Sequence, residues 1–78
     1  MHQGYTNLAN AIILAAVDDY RKALREAERN PHNRSAKYTI REVERFFRSD
    51  HYSMMTKVEP ELLIKKLREE ANERKRVS

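Results

Sequence analysis

Residues Arg41-Glu42-Val43-Glu44-Arg45-Phe46-Phe47-Arg48-Ser49-Asp50-His51-Tyr52-Ser53-Met54-Met55 decide how the chain is read. They hold both phenylalanines, two of the three methionines and three of the sixteen basic residues. Val43 and Phe47 continue an apolar stripe that begins at Ala36 and Ile40, with steps of four, three and four, which is one face of a helix. Phe46 lies off that stripe and needs a second element or a second subunit to pack against. Ser49 and Asp50 are good helix-capping residues, so one helix ends near Arg48 and a short one, 51–56, begins.

Working outward, Asn30-Pro31-His32-Asn33 is a break, because Pro31 disfavours helical geometry at Asn30 and offers no N–H to the preceding turn. Asn33 or Ser35 then opens the helix that carries the stripe. Before the break, apolar residues at 9, 12, 13, 16, 17, 20, 24 and 27 recur with helical period, which predicts a helix over 7–29 capped by Thr6 or Asn7. After the short helix, Lys57-Val58-Glu59-Pro60 is a second break, and Pro60 suits the first position of a helix, where its missing N–H is not needed. Leu63, Ile64, Leu67 and Ala71 then form the inner face of a helix over 60–73. Residues 1–6 are expected to be flexible and 74–78 to form a frayed basic tail.

The expected fold is therefore all-α: a single domain over 1–78, a compact bundle of three main helices and one short one. One glycine and two prolines leave little material for hairpins or Gly-rich phosphate loops. With 78 residues and no cysteine, neither disulfides nor thiolate metal sites support the core. A homo-oligomer is the expected remedy, with Phe46, Tyr52, Met54, Met55 and Leu62 as its candidate interface, since methionine is adaptable and common at binding surfaces. The alternative for the short helix is that it lids the core of its own chain. The longest apolar run, Ala11–Val17, is too short to span a bilayer and its N-terminal flank lacks the basic residues of a signal peptide, so no membrane partner is expected and the cytoplasm is the default location.

The net charge is +4 and the pI about 9.6, which permits an anionic partner. At about 100° per residue, Arg34, Lys37, Arg41, Arg45 and Arg48 fall within an arc of roughly 80° on the second helix. Between Arg34 and Arg48 five basic residues stand against two acidic ones, whereas four of each balance across Asn7–Asn30. These five residues are the candidate anion site, because guanidinium groups suit bidentate binding of phosphate or carboxylate. The alternative is a solvated face in which Glu44 pairs Arg41 and Arg48.

Catalysis finds no support. Ser49-Asp50-His51 are neighbours on a helix junction, and neighbours on a helix do not converge as a triad requires. His2, His32 and His51 lack metal-ligand spacing, and Asp18 and Asp19 diverge, so neither a metal nor another cofactor is expected.

Three segments carry a resemblance: Ala16–Leu24, Glu44–Tyr52 and Leu63–Leu67. Through them most of residues 11–70 resembles a family of short phage- and prophage-encoded proteins of Gram-positive bacteria. That family has an aromatic at the place of His51 and a glycine after an acidic residue at the place of Glu59-Pro60. The resemblance implies a phage context and action in the host cytoplasm. By analogy with small phage accessory proteins, it implies a non-enzymatic binding protein that inhibits or regulates a host defence system. The anionic partner would be a nucleotide signal, a nucleic acid or an acidic host protein. The competing expectations are a small DNA-binding regulator, although no clear helix-turn-helix pair is present, and an assembly protein that acts only through helix packing.

Overall fold

A computed structural model describes residues 2–77, and the side chains of residues 8–73. Four helices follow one another: α1 (His2–Arg29), α2 (Arg34–Phe47), α3 (Asp50–Met55) and α4 (Pro60–Val77). No strand occurs among the described residues, so the all-α expectation holds. No helix among them is long and apolar enough to cross a membrane.

The breaks fall where the sequence places them. Asn30 closes α1 through its N–H to the Glu26 carbonyl (3.0 Å), and its side chain accepts from the His32 N–H (3.0 Å). Asn33, with extended backbone, is the cap of α2 and accepts from the Ala36 N–H at 3.0 Å. Ser49 caps α3: its Oγ accepts from the Tyr52 N–H (3.2 Å) and donates to the Phe46 carbonyl (2.6 Å), which welds the end of α2 to the start of α3. Ser49→Ala removes both bonds and is expected to cost about 1 kcal/mol, seen as a fall of roughly 4–8 °C in Tm. An unchanged Tm would mean that the α2–α3 elbow is held by packing alone. Pro60 stands first in α4, and the Leu63 N–H reaches back to the Glu59 carbonyl at 3.0 Å.

The ends differ from expectation. α1 begins at His2, so Thr6 and Asn7 lie inside the helix and neither caps it. α4 likewise continues to Val77 through the expected tail. No proline interrupts either extension, and once a helix is nucleated each further residue adds a hydrogen bond at little entropic cost. The short helix starts at Asp50 and ends at Met55, with Thr56 as its C-cap.

The core gathers Val17, Tyr20 and Leu24 from α1, Phe47 from α2, Tyr52 from α3, and Ile64 and Leu67 from α4. Its centre is aromatic. Phe47 meets Tyr20 edge-on at 5.9 Å and Tyr52 edge-on at 5.6 Å between ring centroids, and Phe46 meets Tyr52 at 5.9 Å. Edge-to-face pairs add about 0.5–1.5 kcal/mol each beyond their burial. The Tyr52 hydroxyl donates to the Val58 carbonyl at 3.0 Å and so pins the α3–α4 loop.

This packing corrects part of the expected interface. Tyr52 is buried in its own chain, because α3 folds back onto α1 and α2 and lids their core. Phe46 finds its second element in α3 and is partly buried there. Met55 is half-buried, and only Met54 and Leu62 stand well exposed. Ile12, counted with the inner face of α1, is 41% exposed.

Candidate functional site

Glu44 is the polar hinge between α1, α2 and α4. It sits one turn before Arg48 on α2, on the border of the core stripe. The Tyr20 hydroxyl donates to its Oε2 at 2.6 Å, Arg68 Nη2 donates to the same oxygen at 2.6 Å, and Arg48 Nη1 donates to Oε1 at 3.5 Å. Arg68 also stands over the Tyr20 ring, 5.9 Å from its centroid. Burial works to raise the Glu44 carboxyl, but the bonds from Tyr20 and Arg68 and the positive charges of Arg68 and Arg48 outweigh it and hold the group below its ordinary 4.5. The Tyr20 phenol moves the other way: burial first, then its bond to the Glu44 carboxylate, push it well above its ordinary value.

Arg48 is occupied further along. Its Nε and Nη2 grip both oxygens of Glu61 at 2.7 and 3.1 Å. The four charges thus form an antiparallel ladder, in which Glu44 faces Arg68 and Arg48 faces Glu61. The pairing lifts the Arg48 guanidinium above, and holds the Glu61 carboxyl below, its ordinary value, through their mutual hydrogen bonds first.

The five-residue basic stripe is therefore divided. Arg48 is tied into the fold. Arg45 approaches Glu42 only at 3.9 Å and is mostly exposed. Arg34, Lys37 and Arg41 are exposed and carry no ion pair among the described residues. Glu44 pairs Arg48 as the solvated-face alternative requires, but its second partner is Arg68 rather than Arg41.

Lys37 and Arg41 have somewhere to act. With Ile40 they line an open cleft of about 700 Å3 between α1, α2 and α4. Leu24 and Ala27 from α1 and Ala71 from α4 give it further apolar wall, while Glu28, Asn72 and the Glu44–Arg68 pair supply polar groups. Three cations and two carboxylates border the cleft. Glu44 is taken by Arg68, Arg48 and Tyr20, which leaves Glu28 as the other carboxylate of the lining. Spaced i, i+4, their Cβ atoms lie about 5–6 Å apart, close enough for both heads to grip one phosphate or carboxylate.

Arg68 and Glu61 were missing from the sequence-derived site. The available signal was their spacing: Glu61 and Arg68 are seven residues apart on one face of α4, a charge pair of reversed direction to Glu44 and Arg48 on α2.

The Ser49-Asp50-His51 run is a helix cap, as its spacing suggests. Ser49 Oγ is bonded on both sides, and Asp50 and His51 are exposed. Among the described residues no three His, Cys, Asp or Glu side chains come together as a metal site. Comparison of the chain with protein-family models, with characterised proteins and with solved structures finds no match.

Proposed function

We propose that the protein is a non-enzymatic binding protein that holds an anionic partner on the Lys37–Arg41 edge of the α1–α2–α4 cleft. One observation carries the reading. Two adjacent cations without ion pairs open onto an apolar-walled cleft, while the neighbouring Arg48 and Arg68 are held by carboxylates. The volume lies within the roughly 300–1,000 Å3 of small-molecule sites. A nucleotide suits it chemically: its phosphate would sit between Lys37 and Arg41 and its base against Leu24, Ala27 and Ile40. The resemblance to short phage-encoded proteins supplies the biological setting, in which such a protein would sequester a nucleotide signal and so restrain a host defence system.

The clean test is Lys37→Glu with Arg41→Glu, because Arg48→Glu would also break the pairing with Glu61. Charge-assisted contacts contribute about 1.5–3 kcal/mol each, so the double reversal is expected to weaken nucleotide binding at least ~100-fold. Titration calorimetry with mono- and dinucleotides reads this directly, with Arg45→Glu as a surface control. Equal affinity of the double variant and the parent would refute the assignment. Binding that ignores nucleotides but grips duplex DNA, with a steep salt dependence and sensitivity to Arg34 and Arg45, would instead favour the DNA-regulator reading.

A further inference from the structure

All 28 charged side chains, sixteen basic and twelve acidic, lie after Val17. The first 17 residues carry none, yet they form more than half of α1. The core packs on α1 from Ile13 onward. On the opposite side, Leu8, Ala11, Ile12 and Ala15 recur at steps of three, one and three, which at helical pitch makes a second apolar stripe about 100° wide. All four are exposed, Leu8 by 60% and Ile12 by 41%. Leu14, beside the stripe, is 62% exposed. A helix segment that is apolar all round is ordinarily buried all round.

The size of the molecule shows how much is uncovered. A compact monomer of 9.3 kDa exposes roughly 5,000 Å2, whereas this chain exposes 6360 Å2. The radius of gyration is 13.7 Å, against about 11.5 Å for a compact chain of this length. The longest dimension, 44 Å, is close to the length of α1, about 42 Å at 1.5 Å per residue. The chain as a whole thus exposes roughly 1,400 Å2 more than a compact monomer of its mass, and the Leu8–Ala15 face is one part of that excess.

We infer that the Leu8–Ala15 face of α1 is a homodimer interface, packed antiparallel against the same face of a second copy. A two-fold interface must be complementary to itself, and a charge-free stripe meets its own copy without repulsion. Ala11 and Ala15 let the two backbones approach closely, with Leu8 and Ile12 interlocking beside them. The direction follows from the residues that end the stripe. Asp19 and Lys22 continue the same face by one and two turns. A parallel pair would set Asp19 against Asp19, whereas the antiparallel pair moves these charges to opposite ends. A bilayer surface fits less well, because helices that bind it carry lysine or arginine on their polar face and this segment has neither.

Sedimentation equilibrium of the whole chain at about 100 µM tests the inference, with circular dichroism confirming that every variant is helical. The parent is expected at twice the 9.3 kDa chain mass and Ile12→Lys at half the parent value. Leu8→Lys serves in the same role should Ile12→Lys fail to fold. Because the chain contains no cysteine, Ala11→Cys places a single thiol beside the two-fold axis, and air oxidation is expected to yield a covalent dimer. Tyr38→Cys, exposed on α2, is expected to yield little. A parent that stays monomeric overturns the inference, and so does a dimer that survives Ile12→Lys. A monomer that instead co-sediments with phosphatidylcholine vesicles overturns it in favour of a lipid surface.

Discussion

Replacing Phe47 with alanine will remove at least about a quarter of the stability expected for a chain of this length. Phe47 is fully buried and touches a ring from each neighbouring element: Tyr20 on α1, Phe46 beside it on α2, and Tyr52 on α3. Truncating a buried phenylalanine costs about 3–5 kcal/mol, through lost transfer energy and the cavity left behind. A chain of this length has a total stability of about 4–12 kcal/mol, so the loss is comparable with the whole at the lower end. The cavity would not close readily, because the three rings around it belong to three elements joined by short loops. Phe47→Leu keeps most of the volume but loses both edge-to-face pairs, with Tyr20 and Tyr52, and is expected to cost an intermediate amount, about 1–3 kcal/mol. Urea unfolding followed by circular dichroism orders the three proteins. A Phe47→Ala midpoint equal to that of the parent would mean that the aromatic cluster is not the core.

Removal of Glu44 comes next in size. Glu44→Ala leaves the Tyr20 hydroxyl without its acceptor and the Arg68 guanidinium without its close carboxylate. Each lost bond to a charged group is worth about 1.5–3 kcal/mol when shielded, and the half-exposed Arg68 recovers part of that from water. A net loss of about 2–3 kcal/mol is expected, or roughly 10–20 °C in Tm for a domain of this size. The same residue sets the acid limit. A carboxyl whose folded value lies below its ordinary 4.5 contributes its full stability above the unfolded value and loses it as pH falls through the folded one. Stability should therefore decline as pH drops below about 4.5, and Glu44→Gln should flatten part of that decline. Tyr20 acts at the alkaline side with the opposite sign. Its raised value means the fold favours the neutral phenol, so stability is present below its ordinary value of 10.0 and falls above it. A Glu44→Gln protein with the acid profile of the parent would place the titration elsewhere.

The breaks between helices were readable because each has a local chemical cause. Pro31, Ser49 and Pro60 act within one or two residues of their own position, and α2, α3 and α4 begin where they direct. The start of α1 was not readable, since Thr6 can cap a helix but nothing prevents the helix from running past it. The inner faces of α2 and α4 follow from period alone, and Phe47, Ile64 and Leu67 are buried as their spacing requires. Ile12 fits the same period on α1 yet stands outside, because periodicity gives direction around a helix but not how far along it the neighbours reach. The candidate site shows the same limit. Spacing places Lys37, Arg41 and Arg48 on one face, but which of them meets a carboxylate depends on where α4 lies. The spacing of Glu61 and Arg68 marks one face of α4, but that they meet Arg48 and Glu44 is decided only by how α4 lies against α2, and the cleft beside Lys37 is a property of three helices together.

The uncharged stretch at Ala11–Val17 also bears on what happens when the fold is lost. Released from the helix, these seven residues contain no charge and no proline, and four of them are Ile, Leu or Val, a composition prone to stacking into cross-β aggregates. Two features hold this tendency in check. Asp18 and Asp19 follow immediately and act as gatekeepers, since stacked copies would bring carboxylates into register. Within α1 the backbone N–H groups of the stretch are already bonded along the helix and cannot recruit another strand. Solubility is thus coupled to helix formation in α1, so a substitution that loosens the distant aromatic core also frees the segment best able to drive the chain out of solution.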